Sequence, residues 1–244
     1  MAAKTAETRY VLHKKIDESP ETLRLIFRPV SERLADFSPG MFVMILGYDG
    51  KGNKYGGRAF SIASDPGSNE LELLAIKQPT HGGSTHETHF LTAKEGDEFV
   101  VTGPIGKFTV ELGGGQKIAV FAGGTGLAPF ASLLRKEARV QSGTDISMVY
   151  SVRRPQEVLL KNEIEALQKK IRLKTVVTVT RPEGGDIWAG RTGHIDSKMI
   201  LDSMPDIGER VCYICGSLGF SKAVKAELMK LGVNERDIKI DAWG

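Results

Sequence analysis

Gly123, Gly124 and Gly126 stand after an apolar run, Ile118 to Ala122, and just before Pro129, within the stretch Lys117 to Leu134. The run has the length of a buried strand. The glycines make a turn where side chains would obstruct a ligand. Pro129 suits the first position of a helix, where its missing N–H is an orphan anyway. A strand, a glycine turn and a helix start make an anion site, because free N–H groups and the positive end of the helix dipole meet at one spot. A dinucleotide pyrophosphate is the expected guest. The spacing is Gly-Gly-x-Gly-x-x-Pro rather than Gly-x-Gly-x-x-Gly, so a tight turn that packs and binds nothing remains the alternative.

A second group is Arg58-Ala59-Phe60-Ser61. Its arginine can grip a phosphate with two prongs, its phenylalanine can lie against an aromatic ligand, and its serine can hydrogen-bond a heteroatom. The plain alternative is an edge strand with one solvated arginine and one core phenylalanine. His81-Gly82-Gly83-Ser84-Thr85 is another glycine turn leading into a helix start, hence a second anion site. His81, His86 and His89 lie close in sequence, but no cysteine or carboxylate cluster accompanies them, and no metal is expected. Cys212 and Cys215 have C-x-x-C spacing inside an apolar segment that reads as a buried strand. Residues three apart on a strand face opposite sides, about 10 Å apart at about 3.3 Å per residue, too far for a disulfide. Two cysteines also fall short of the four ligands that an iron–sulfur cluster ordinarily takes.

These residues need elements to position them. The chain has 244 residues with 41% hydrophobic content, enough for one large or two ordinary domains with a core. Its 33 basic and 30 acidic residues are interspersed, for a net charge of +3, which argues against a nucleic-acid stripe or a polybasic membrane anchor. The polar N-terminus has no signal-peptide core, and the uncharged run from Ile118 to Leu134 is too short and too interrupted to span a bilayer. A cytoplasmic protein is expected, with no membrane insertion.

Residues 1–112 read as short strands between turns: around Leu23–Phe27, Met41–Ile45, Phe60–Ala63, Leu71–Lys77 and Glu98–Thr102, with one helix from about Ser84 to Ala93. That spacing predicts a small antiparallel barrel. Gly113-Gly114-Gly115 reads as a hinge. Residues 117–244 alternate strand and helix. Strands are expected at Ile146–Val152, Thr175–Thr180, Arg210–Cys215 and Ile238–Trp243. Helices are expected through Leu160, Ile164, Leu167 and Ile171, and through Val224, Leu228 and Leu231 up to Gly232. Such βα units imply a doubly wound parallel sheet, whose ligands bind outside the carboxyl ends of the strands. The Gly123 turn, Arg153, Arg181 and Cys215-Gly216 all fall at those ends.

Taken together, the elements resemble the ferredoxin–NADP reductase family over nearly the whole chain. The marks appear in order: Pro39-Gly40-x-Phe42, Arg58-x-Phe60-Ser61, Gly82-Gly83-Ser84, Gly103-Pro104-x-Gly106-x-Phe108, Gly123-Gly124-x-Gly126-x-x-Pro129, Cys215-Gly216 and Asp241-Ala242-Trp243. The resemblance implies an FAD-binding barrel, residues 1–112, followed by an NAD(P)-binding domain, residues 117–244. Arg58, Ala59, Phe60, Ser61 and the turn Gly82, Gly83, Ser84, Thr85 would hold FAD, with Ser61 near the flavin N5 and Trp243 over the ring. Gly123, Gly124, Thr125, Gly126, Arg153, Thr180, Arg181, Arg191, Cys215 and Gly216 would hold the nucleotide. Ser61, Cys215 and Asp241 would line the reacting centre. Phe60 stands where the family usually has Tyr, Asp241 where Glu is commoner, and Gly244 follows Trp243.

The implied activity moves electrons between NAD(P)H and a one-electron carrier: ferredoxin, flavodoxin, or an iron–sulfur or haem partner, since this chain has no cluster cysteines of its own. Two alternatives stand: an electron-transfer subunit of a larger NADH-linked complex, and a flavin-free nucleotide-binding regulatory subunit, which purified colour distinguishes. NADPH is the expected nucleotide. No acid ends the strand Tyr150-Ser151-Val152-Arg153-Arg154, where NAD-type sheets carry one; Arg153 there suits a 2′-phosphate, and Thr180-Arg181 and Arg191 resemble the residues that family members use for that phosphate.

Overall fold

The structure, a computed structural model, describes residues 7–48, 54–77 and 92–243. The first half contains β1 (Glu7–Ser19), β2 (Thr22–Pro29), β3 (Phe42–Tyr48), β4 (Lys54–Ser61), β5 (Leu71–Ile76) and β6 (Glu98–Ile105). They form one antiparallel sheet in the order β4-β3-β6-β1-β2-β5. Alternating residues of all six strands, among them Leu12, Leu25, Val43, Phe60, Leu73 and Val101, enter one buried cluster. The end strands β4 and β5 therefore face the same core, and the N–H of Ala63 bonds the carbonyl of Glu72 at 2.8 Å across the gap. The sheet curls into the expected barrel. Strand β1, a largely polar segment, has no clear apolar run in the sequence; only Tyr10, Leu12 and Ser19 along it are buried. The helix expected from about Ser84, together with His81, His86, His89 and the Gly82–Thr85 turn, lies outside the described residues apart from its last two positions.

The second half contains β7 (Lys117–Gly123), α1 (Ala128–Val140), β8 (Asp145–Val152), α2 (Lys161–Leu167), β9 (Leu173–Val179), β10 (Arg191–Thr192), α3 (Ser197–Ser203), β11 (Val211–Ser217), α4 (Leu218–Lys230) and β12 (Ile238–Trp243). The parallel order is β10-β9-β8-β7-β11-β12. Ile118, Val120 and Ala122 pack with α1 and α2, whereas Ala119 and Phe121 pack with α3 and α4. Helices thus cover both faces, which is why β7 is apolar without interruption. Cys212 and Cys215 fall in these two opposite clusters and are unbridged.

Local detail differs from the periodicity. The segment from Leu160 to Ile171 makes only the short helix α2: Leu160 is its cap, in the left-handed region at φ 51°, and the chain leaves the helix through turns after Leu167. The short strand β10 and helix α3 lie in a Gly- and Asp-rich stretch with no clear period. Pro129 takes the second position of α1 because a 3-10 turn, Gly124–Leu127, precedes the helix.

The two halves are packed together. Ala63, Leu74 and Val110 join the α1 face of the second core, and the Phe108 ring meets Phe130 and Tyr213 edge-on at 6.4 and 5.9 Å. Arg135 of α1 reaches the Ala63 carbonyl, Glu72 and Glu163, each at 2.6–2.8 Å. Arg139 holds Asp65 with two bonds at 2.6 and 3.0 Å. The connecting glycines are anchored too: the N–H of Gly113 bonds the Thr144 hydroxyl at 3.0 Å.

Candidate functional site

Strand order puts the chemistry in one row. The sheet reverses direction of growth between β7 and β11, and that switch point is where such sheets bind nucleotides. The Gly123 turn ends β7, Arg153 follows β8, Thr180 and Arg181 follow β9, and Cys215-Gly216 lies near the end of β11. All are at carboxyl ends of neighbouring strands.

The glycines have separable jobs. A Cβ on Gly126 would lie 2.2 Å from the Cys215 carbonyl oxygen, and a Cβ on Gly123 or Gly216 would meet the Phe220 ring at 3.0 or 2.6 Å. Those three let β7, β11 and the first turn of α4 touch. Only Gly124 opens outward: its φ is +54° and nothing lies within 4 Å of its missing side chain. It leaves room for a phosphate over the 3-10 turn, and in this respect the turn fits a pyrophosphate. Phe220 carries no signal in the sequence beyond its place after the capping Ser217.

At the other end of the row, β12 pairs with β11 so that Asp241 stands opposite Cys215 and Trp243 opposite Ser217. The Cys215 thiol donates to the Asp241 Oδ2 at 3.8 Å. Burial, then the Asp241 charge, push the thiol well above its ordinary range, though a Trp243 hydrogen bond works the other way. Cys215 is therefore a neutral, buried donor and not a thiolate nucleophile. Burial also raises the Asp241 carboxyl. Trp243 is 37% exposed at the mouth of this cluster. Cys212, on the opposite face, is pushed up to about 12, first by burial.

Arg153 and Arg181 are exposed and joined through their backbones, the N–H of Arg181 donating to the Arg153 carbonyl at 2.8 Å. Among the described residues neither guanidinium has an ion-pair partner. The Thr180 hydroxyl bonds the Val152 carbonyl at 3.2 Å. Arg191 is brought beside β9 but its guanidinium is on Asp202 at 3.1 Å. Glu157 lies in a 3-10 turn rather than a helix, and its carboxylate accepts from the N–H of Arg153 at 3.3 Å. This brings an acid back to the end of β8, although the strand itself ends in none.

In the barrel, Arg58 is half-buried opposite Ile45, and Phe60 lies opposite Val43. Phe60 is 9% exposed and belongs to the barrel core, while its neighbours Ala59 and Ser61, on the other face of β4, are exposed and half-exposed. Among the described residues no group of three or more metal-ligating side chains is assembled, and no helix is long and apolar enough to cross a membrane.

Residues 120–226 match the model of the oxidoreductase NAD-binding domain. The chain is 28% identical over 235 residues to the glycine betaine monooxygenase reductase subunit of Chromohalobacter salexigens, covering 95% of this chain and 62% of that protein. Its fold is similar to that of the FAD/NAD-binding domain of nitric oxide dioxygenase from Vibrio cholerae, with a TM-score of 0.84, 19% identity, and 97% and 98% of the two chains covered. It is likewise similar to a ferredoxin–NADP+ reductase from Neisseria gonorrhoeae solved with FAD and NADP, with a TM-score of 0.77, 22% identity, and 98% and 99% covered. With its barrel and its doubly wound sheet in the same order, the chain has the fold of these FAD- and NAD(P)-binding proteins.

Proposed function

We propose that the chain is an FAD-dependent oxidoreductase that passes electrons between NAD(P)H and a one-electron carrier, such as ferredoxin, flavodoxin, or an iron–sulfur or haem protein. Residues 1–112 are the flavin half and 117–244 the nucleotide half. The carrying observation is the row at the switch point: the open Gly124 turn after β7, Cys215 on the neighbouring β11, and Asp241 and Trp243 on β12 beyond it. Bound flavin supplies exchange between hydride pairs and single electrons. The protein's part is position. Thr125 and the glycine turn hold pyrophosphate; Cys215 and Asp241 line the nicotinamide end; Ser61, half-exposed on β4, offers its hydroxyl to the flavin; Arg58 holds the flavin's phosphates. The proposed compartment is the cytoplasm, where two unpaired cysteines stay reduced. A yellow protein that oxidises a reduced pyridine nucleotide in a screen of one-electron acceptors is the expected result. A colourless protein that binds nucleotide favours the regulatory-subunit reading.

Ser61→Ala is expected to slow flavin reduction by the nucleotide with FAD still bound. A lost hydrogen bond of about 1–3 kcal/mol corresponds to roughly 5- to 150-fold in rate. Stopped-flow reduction at the wild-type rate counts against the role.

For the nucleotide, the bare pair Arg153 and Arg181 supports a 2′-phosphate, and Glu157 is the one group there that supports a ribose hydroxyl. The proposed preference is NADPH. Arg181→Ala is expected to raise the NADPH KM by roughly 10-fold or more, the loss of one charge-assisted bond of about 1.5–3 kcal/mol, and to leave NADH little changed. Wild-type kcat/KM for NADH equal to or above that for NADPH refutes the preference.

A further inference from the structure

The side chain of Tyr150 is fully buried near the carboxyl end of β8, yet its hydroxyl reaches two backbone segments. It donates to the Gly124 carbonyl at 3.2 Å and accepts from the N–H of Leu159 at 3.4 Å. The first partner belongs to the glycine turn after β7, the second to the turn after β8. That second turn is itself fixed. Leu159 and Leu160 are 1% and 5% exposed, Leu160 holds the left-handed conformation, and its N–H donates to Glu18 of the barrel at 2.9 Å. Glu18 is in turn paired with Arg24 at 3.0 Å. A backbone group anchored to the barrel thus bears, through one phenol, on the carbonyl of the glycine that opens outward.

The consequence for the turn follows from the planar trans peptide. The carbonyl of Gly124 and the N–H of Thr125 belong to one plane and point in opposite directions. Drawing the carbonyl toward Tyr150 turns the Thr125 N–H to the other side. That N–H sits at the head of a 3-10 turn, where no intrahelical acceptor exists. Phenylalanine at position 150 fills the same core space but has no hydroxyl.

We propose that Tyr150 is a positioning residue for the nucleotide: its hydroxyl sets the peptide plane between Gly124 and Thr125 so that the turn receives a pyrophosphate. The inference rests on the proposed nucleotide site and adds a residue that touches neither nucleotide nor flavin. Burial keeps the phenol protonated and so able to donate.

The test compares wild type with Tyr150→Phe, both as full FAD-loaded chains, using calorimetric titration with ADP-ribose and steady-state kinetics. Tyr150→Phe is expected to weaken ADP-ribose binding about 5- to 10-fold and to raise the KM for the preferred reduced nucleotide equally, with kcat within about twofold, as for loss of one neutral hydrogen bond. Wild-type ADP-ribose affinity in the variant overturns the proposal, whatever happens to its melting temperature. So does a fall in kcat at unchanged KM. A wild type that binds no ADP-ribose overturns the nucleotide site itself, and the inference with it. If the variant does not fold, hydrogen exchange at the Leu159 amide of the unaltered chain decides: slowing by ADP-ribose supports the proposal, and an unchanged rate overturns it.

Discussion

Arg135→Met is expected to destabilise the folded chain by about 3–5 kcal/mol, the loss that follows when one partner of a buried ion pair is removed. Arg135 is 15% exposed at its side chain, and its partners Glu72 and Glu163 are 12% and 33% exposed. Methionine fills much of the volume but leaves Glu72 without its countercharge and the Ala63 carbonyl without a donor. Glu163 sits on α2, Arg135 on α1, and Glu72 and Ala63 belong to the barrel, so the loss falls on the junction between the halves. Urea denaturation is the measurement. Adding Glu72→Gln and Glu163→Gln to Arg135→Met is expected to recover much of the loss, since no charge then stays buried alone. A single-variant loss below about 1 kcal/mol, the size of an exposed pair, refutes this account of the junction.

The same network sets a pH dependence. Burial acts to raise the Glu163 carboxyl, but the hydrogen bond and charge of Arg135, with the charge of Arg24, leave it below the ordinary glutamate value. A folded-state pKa below the unfolded one means the stabilisation is full above the unfolded value, about 4.3, and is lost as pH falls through the folded value. Stability should therefore decline below about pH 4 in the wild type and less steeply in Arg135→Met. An identical acid slope in both proteins rules Glu163 out as its source.

What could be read from the sequence follows from where the physics is local. Strand β7 announces itself because both of its faces are buried, so every residue from Ile118 to Ala122 is apolar. The Gly123 turn is legible because backbone demands are local. Strand β1 is not, because it curls along the barrel with most positions exposed or half-exposed, and pairing with β2 and β6 rather than composition makes it a strand. Helix α2 is overstated by periodicity because its start is fixed by long-range bonds, from Leu160 to Glu18 and from Leu159 to Tyr150. Glu157 lies four residues beyond Arg153, and only the turn at Pro155 brings its carboxylate back to the Arg153 N–H. Tyr150 did carry a signal: a tyrosine inside the apolar run of β8 must find a partner for its hydroxyl, though not one that sequence spacing could name. Phe60 and Ser61, adjacent in the motif, are divided by strand alternation, which commits Phe60 to the barrel core and leaves Ser61 outside.

Arg58→Ala is expected to empty the protein of FAD. Arg58 stands on β4, two residues before Phe60, so it shares the inward face of that strand, but it is half-exposed where Phe60 is covered. It thus carries a guanidinium on a rigid strand at the edge of the core, a position suited to a phosphate held from the protein side. A guanidinium gripping pyrophosphate makes two parallel charge-assisted bonds of about 1.5–3 kcal/mol each, and losing both corresponds to roughly 10²- to 10⁴-fold in dissociation constant. Arg58→Lys keeps the charge without the fork, and intermediate retention is expected. The measurement is the flavin-to-protein absorbance ratio after gel filtration, followed by FAD titration of the apoprotein, with circular dichroism to establish that the barrel is intact. About one FAD per chain is expected in the wild type. Wild-type FAD retention in Arg58→Ala, or FMN in place of FAD in the wild type, overturns the assignment of Arg58 and with it the proposed flavin half.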